Sequence, residues 1–212
     1  MFKTLKDAWG IPELRQKLIF TALILLLFRI GSVIPVPFVN PDQLKLYFDY
    51  AMNGTIFDMY DMMSGSAFSM ATVLALGIQP YINSSIIIQL LTIAIPALER
   101  MSKEGGEEGK KKLNLITRCT TVGLGLLMGW AYYMMLSGAS DYKIIDNPGF
   151  WTGLVVVLTF AAGSTVVMWL GEQITEHGIG NGISMILLVN IISRIPSGFG
   201  TIIGMFTAKT WW

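Results

Sequence analysis

Five long apolar runs dominate the possibilities open to this chain. They are Leu18–Ile34, Ile78–Leu98, Ile116–Leu136, Trp151–Leu170 and Ile183–Met205. Each is close to the roughly 20 residues that carry a helix across a bilayer. The first is slightly short, and the sequence predicts an interruption of the last by "RIPSGFG" from Arg194. The runs are continuous and not alternating, which selects helices over a membrane barrel. Only 14% of the 212 residues are charged, against 53% hydrophobic, whereas a soluble domain carries about a quarter charged residues. The expected class is therefore an all-α, polytopic membrane protein with five transmembrane helices.

The polar segment "MFKTLKDAWGIPELRQK" precedes the first run. It lacks the short apolar stretch and small-residue cleavage site of a signal peptide. Residues 1–17 are read as a retained amphipathic N-terminus, and residues 18–212 as one five-helix domain. One cysteine, Cys119, leaves no disulfide framework and no cysteine metal cage.

Basic residues collect on the cytoplasmic side of membrane proteins. With the N-terminus inside, the cytoplasm receives Lys3, Lys6, Arg15 and Lys17, then Arg100, Lys103, Lys110, Lys111 and Lys112, with Arg118 just beyond. The outside receives Lys45, Lys143 and Lys209, with Arg194 near the outer end of the last span. This bias holds only if Gly54–Gly77 does not cross, which makes that segment outside or re-entrant. The inner connections are then a loop over 99–115 and a hairpin over 171–182. The loop, "LERMSKEGGEEGKKKLNL" from Leu98, reads either as a solvated hairpin tip or as a docking loop for a cytosolic partner. Its "GGEEGKK" has the wrong spacing for a phosphate loop and no following Ser or Thr.

The spans carry little that could do covalent or ion-coupled chemistry. Buried ionisable groups are costly and usually functional, yet the clearly internal charge is Arg29, expected to snorkel or to pair with Asp58 or Asp61. No span contains Asp or Glu, which disfavours a proton relay or a small helical transporter. His177 stands alone beside Glu176, without a second ligand or a nucleophile, and neither HExxH nor GxSxG occurs. No enzyme activity, cofactor or metal is expected, and the near-neutral charge gives no nucleic-acid surface.

Uncharged polar residues are what remain. "QPYINSSIIIQLLT" puts Gln79, Asn83, Ser84, Ser85, Gln89 and Thr92 on one membrane helix. They either bind helices together, at about 0.6–2 kcal/mol per bond, or face water or a polypeptide. Ile82 and Ile86 lie four apart, as do Leu187 and Ile191, so each pair shares a helix face. Those four aliphatics read either as lipid-facing packing or as a dewetting constriction.

"FRIGSVIPVP", "GTIFDMYDMMSGSAFS", "ALGIQPYINSSIIIQLLT" and "GEQITEHGIGNGISMI" resemble, in order, the N-terminal half of the bacterial SecY family of protein-conducting channels, with wording nearest the Gram-positive type. The resemblance covers essentially the whole chain. It implies one half of an inverted-repeat fold, whose two halves clamp an hourglass pore. Ile82, Ile86, Leu187 and Ile191 would supply half of the pore ring, with Leu187 replacing the commoner isoleucine. Gly54–Met70 would be the plug, a re-entrant helix bearing Ile56, Phe57, Met59, Tyr60, Met62, Met63 and Phe68. Its methionines suit a movable stopper, and Ser64-Gly65-Ser66 weakens the helix locally. Asn83, Ser85, Gln89 and Thr92 would border the lateral gate. Gly178, Gly180 and Gly182 would permit a tight cytoplasmic turn. Phe38 stands where many relatives have glycine.

The function so implied is passage of unfolded polypeptides across, and insertion of membrane proteins into, the bacterial plasma membrane. The implied partners are a complementary C-terminal half or a second copy, SecE and SecG-like small subunits, SecA or the ribosome, signal sequences, unfolded polypeptide and lipids. The alternative is a structural half that is inactive without its complement. An antiparallel second copy would place the ten basic groups from Lys3 to Arg118 on the wrong side.

Overall fold

The computed structural model describes residues 10–52, 55–103, 105–139 and 142–207, with side chains of the last helix followed to Ile195. Most of the N-terminal segment 1–17, including Lys3 and Lys6, lies outside the described residues, as do Gly54 and Lys209. Apolar runs become helices because a spanning segment must satisfy its own backbone hydrogen bonds. The order is α1 (Pro12–Gly31), α2 (Pro41–Tyr47), a π-helical turn (Phe48–Met52), α3 (Ile56–Ser64), α4 (Gln79–Ala94), α5 (Pro96–Lys103), α6 (Gly106–Gly138), α7 (Phe150–His177) and α8 (Gly182–Thr207). Among the described residues there is no strand, only isolated bridges between Pro35 and Thr72 and between Val39 and Ile145.

Several boundaries depart from the apolar runs. The run Ile78–Leu98 breaks at Pro96, and α4 and α5 meet at 102°. Pro96 cannot donate to the preceding turn and forces Ile95 into extended backbone, φ −110° and ψ 112°. Lys103 on α5 then donates to Glu99 at 2.6 Å, and that bond and the Glu99 charge hold its pKa above the ordinary value. The expected interruption of the last run is absent, because α8 continues through "RIPSGFG" to Thr207. The hairpin expected over 171–182 is mostly helix. α7 runs to His177, and only Gly178–Asn181 connects it to α8.

By length and composition, α6 and α7 can each cross a membrane, and α4 and α5 add a third only if the pair, bent by 102°, is counted as one span. The charges Glu13, Arg15, Lys17 and Arg29 keep α1 below that measure, and Gly182–Ile195 is a shorter apolar helix. Exposed Leu23, Leu26, Leu90, Ile93, Leu127 and Trp169 leave an apolar exterior, which in water would be a large liability and in lipid is the solvent-facing surface.

α7 is the central post: α1, α4, α6 and α8 all pack on it. Gly125 and Gly129, four apart on α6, face Ala161 and Ser164 and then Val157 and Phe160 of α7. Missing side chains let the two backbones approach, which is how helices associate where no hydrophobic effect separates protein from lipid. Two cores result. One joins Leu44, Phe48, Phe68, Leu76, Tyr132 and Phe160. The other joins Ile24 and Phe28 of α1 to Ile78, Leu170, Ile174 and Ile186.

Candidate functional site

The segment between α2 and α4 does not extend as a span. α3 is two and a half turns long and stops at Gly65, whose φ of +68° is left-handed. Glycine reaches that region without a Cβ penalty, so "SGS" ends the helix here. Ser66 follows at φ +70°, and the chain then folds through turns to Ile78.

The carboxyl end of α3 meets polar groups from three other helices, α8, α4 and α1. Asp61, with a side chain only 5% exposed, pairs with Arg194 of α8, Nη2 to Oδ2, at 3.1 Å. Its Oδ1 accepts from the Ser69 amide at 2.7 Å. Asn190, one turn before Arg194, donates from Nδ2 to the Met63 carbonyl at 2.9 Å. Gln79, at the start of α4, donates to the Met63 sulfur at 3.1 Å. Arg29 of α1 reaches the Gly65 carbonyl at 3.5 Å. That distance is long for a hydrogen bond, so Arg29 acts mainly as a positive charge at the negative end of α3.

This corrects the expected pairing of Arg29. Asp61 is taken by Arg194, and Arg29 meets backbone carbonyl instead of Asp58 or Asp61. Arg194 and Asn190 were missed in the sequence reading. Their available signal was spacing: Leu187, Asn190, Ile191 and Arg194 follow i, i+3, i+4, i+7 and share one stripe of α8.

The four candidate ring residues divide into two kinds. Ile82 and Leu187 pack against the same core, around Ile78, Leu170 and Ile186. Ile86 and Ile191 stand 51% and 50% exposed. Leu187 also closes a residual cavity of about 10 Å³, bounded by Tyr60, Met63 and Ser64 of α3 and by Leu76 and Gln79, so α3 rests directly over that position.

On α3 itself, Ile56, Phe57, Met59 and Met62 are exposed, while Tyr60 and Met63 are half-buried. Phe68 differs from the rest of the candidate plug. It is 5% exposed, ringed by Phe48, Phe57, Tyr60 and Tyr132, and its carbonyl accepts from the Tyr132 hydroxyl at 2.6 Å.

The polar residues of α4 divide by face. Ser84 is buried and donates to the Thr117 carbonyl of α6 at 2.8 Å, so it binds helices together. Gln89 donates to the Ser85 hydroxyl at 3.2 Å, and Thr92 donates to the Gln89 carbonyl at 2.6 Å. Ser85, Gln89 and Thr92 thus form a ladder toward the exposed side, with Asn83 half-buried above it.

Glycines set the connection after α7. A Cβ on Gly178 would meet Thr21 Oγ1 at 2.5 Å, and one on Gly182 would overlap the Gly171 carbonyl oxygen. Gly180 has φ +73°. Thr21 Oγ1 accepts from the Ile179 amide at 3.1 Å, which ties this turn to α1. His177 is exposed, its ring edge-on to Phe20, and no group of metal-ligating side chains occurs among the described residues.

Fold and site together define a helical membrane protein in which the short helix α3 is held against α8 through Asp61–Arg194 and Asn190–Met63. Residues 72–211 match the SecY family model, and the chain belongs to the SecY family. It is 40% identical to the protein translocase subunit SecY of Aquifex aeolicus, over 93% of this chain and 46% of that protein. The corresponding subunit of Buchnera aphidicola is 42% identical over 95% of this chain and 46% of its own length. That of Bacillus subtilis is 39% identical over the same shares, 95% and 46%. The chain thus spans about half the length of the curated relatives it matches. The solved structure of a protein-conducting channel aligns with 85% of this chain and 36% of its own, at TM-score 0.58 and 20% identity. Sec61 in a canine ribosome–channel complex from the endoplasmic reticulum matches with the same values. These two likenesses concern the fold.

Proposed function

We propose that this chain forms one half of a protein-conducting channel in the bacterial plasma membrane, with its N-terminus in the cytoplasm. In this reading unfolded polypeptide crosses between Ile82, Ile86, Leu187 and Ile191 and their counterparts in a complementary half. Residues 54–70 close the outer funnel as the plug, and the face carrying Asn83, Ser85, Gln89 and Thr92 is one wall of the lateral gate. The carrying observation is the seat of α3 on the α8 stripe, immediately over Leu187.

A flexible aliphatic collar fits the task because it offers ions no hydrogen bonds to replace their hydration, yet it deforms around a chain. Ile86 and Ile191, half exposed on this half alone, are free to meet such a complement. The complement is a C-terminal half or a second copy, and the basic asymmetry of the chain favours the former over an antiparallel copy. SecE- and SecG-like subunits, SecA or the ribosome, and signal sequences would engage the assembled channel. The second function in view, a structural half that conducts nothing by itself, follows from the same exposure of the stripe.

Reconstitution with a C-terminal half in planar bilayers tests the reading. Deletion of residues 55–66 is expected to raise resting ion conductance several-fold. Unchanged conductance in a pair that otherwise translocates would remove the plug assignment. A disulfide between Ile86→Cys of one copy and Leu187→Cys of another, formed under oxidising conditions, would instead establish the homodimer.

A further inference from the structure

We propose that Asp61 and Arg194, with Asn190 and Arg29, form a polar latch that positions the re-entrant helix over the pore and sets how readily it leaves. This rests on reading 54–70 as the plug, and it assigns the holding work to specific side chains at one end of that helix.

Apolar contacts of α3 run through Phe57 and Tyr60 on Phe68 and through Met63 beside Leu187, and the rest of its apolar surface adds little. Its Ile56, Met59 and Met62 are exposed, and area left in contact with solvent or lipid contributes little on docking. Polar contacts, by contrast, converge within one turn. The Asp61 carboxylate takes Arg194 and the Ser69 amide, the Met63 carbonyl takes Asn190, and the Gly65 carbonyl faces Arg29. Both arginines sit at the negative end of the α3 dipole. They come from α8 and α1, so the latch bridges two separate helices through the plug.

The arrangement is releasable. Arg194 keeps 30% of its side chain accessible, and withdrawal into an aqueous funnel would return Asp61 to water. Removing one partner alone is different, because it strands the other charge in a buried place. The pivot is also built in. Gly65 and Ser66 are consecutive left-handed residues, and just beyond them Phe68 is clamped to α6 by Tyr132. The helix 56–64 can therefore swing while residue 68 stays in the core.

The experiment compares Asp61→Asn, Arg194→Gln, the exchange Asp61→Arg/Arg194→Asp, and Asp58→Asn, in the complete chain paired with a C-terminal half. Resting ion conductance and hydrogen exchange of amides 56–66 are read together. Each single latch variant is expected to raise conductance and speed that exchange about tenfold, the exchange variant to restore both substantially, and Asp58→Asn to match wild type. Wild-type behaviour in both single variants overturns the latch, as does an equal effect from Asp58→Asn. Failure of both single variants and the exchange variant to fold also overturns it, since the pair would then be a folding element. Deletion of 55–66 separates the two claims: if deletion raises conductance and the latch variants do not, the plug reading stands and the latch falls. If deletion changes nothing, the plug reading itself falls.

Discussion

The Tyr132 hydroxyl donates to the Phe68 carbonyl oxygen at 2.6 Å, and the two rings lie with centroids 4.5 Å apart. A single tyrosine of α6 thus fixes both backbone and side chain just beyond α3. Removing the hydroxyl leaves a buried carbonyl without its donor, at about 1–3 kcal/mol. Tyr132→Phe is expected to lower stability by that amount in detergent, and Phe68→Ala by about 3–5 kcal/mol through the cavity it opens. Thermal unfolding followed by circular dichroism checks both, and a smaller loss for Phe68→Ala than for Tyr132→Phe would contradict the anchoring role.

Gly65 combines a left-handed backbone with a crowded surround. A Cβ there would lie 2.8 Å from Arg29 Nη1, 3.1 Å from Asn190 Oδ1 and 3.2 Å from Ser193 Oγ. Gly65→Ala should cost about 1–2 kcal/mol from conformation alone, with displacement of the arginine added. Gly65→Asn separates the two causes, because asparagine tolerates this region of backbone space. The expected outcome is impairment by both variants, seen as faster hydrogen exchange over 56–66; a wild-type rate for Gly65→Asn would show that only φ matters.

Gly163 on α7 is where the turn before α4 touches the central post. A Cβ at this position would overlap the Val73 carbonyl oxygen, which is backbone and cannot rotate away. Gly163→Ala is expected to destabilise by about 1–3 kcal/mol, the range for overpacking. Gly123, with open space around it, supplies the control: Gly123→Ala in the same α6–α7 region should be neutral or slightly stabilising, since alanine is the better helix former.

Phe38 adopts φ +69° and is 52% exposed, so it bears left-handed strain with little packing in return. The strain is about 1–2 kcal/mol, and the greater chain entropy of glycine takes back about 0.5–1 kcal/mol. Phe38→Gly should therefore stabilise the chain by up to about 1 kcal/mol, measurable as a raised melting temperature. The backbone turns here through a region where side chains are a liability and glycine is not penalised.

The helices themselves were legible in the sequence because lipid imposes one local rule, internal satisfaction of every backbone polar group, and apolar length reports it directly. That residues 56–64 form a short helix and not a span agrees with the distribution of lysine and arginine. Boundaries were less legible. Pro96 broke its run and Pro196 did not, and nothing in either local sequence distinguishes them; neighbouring packing decides whether a lost backbone bond is tolerated.

What the sequence by itself determined is the all-helical membrane class and the family. Tertiary structure alone decided which charges meet. Arg29, expected to snorkel or to pair with Asp58 or Asp61, and Arg194, read only as a charge near the outer end of the last span, are 165 positions apart, yet they converge on one end of α3. Asp61, one of two candidate partners for Arg29, took instead an arginine 133 residues away. Such pairings depend on how α1 and α8 are placed around α7, a long-range geometry set by glycine contacts and core packing and not encoded in any local pattern.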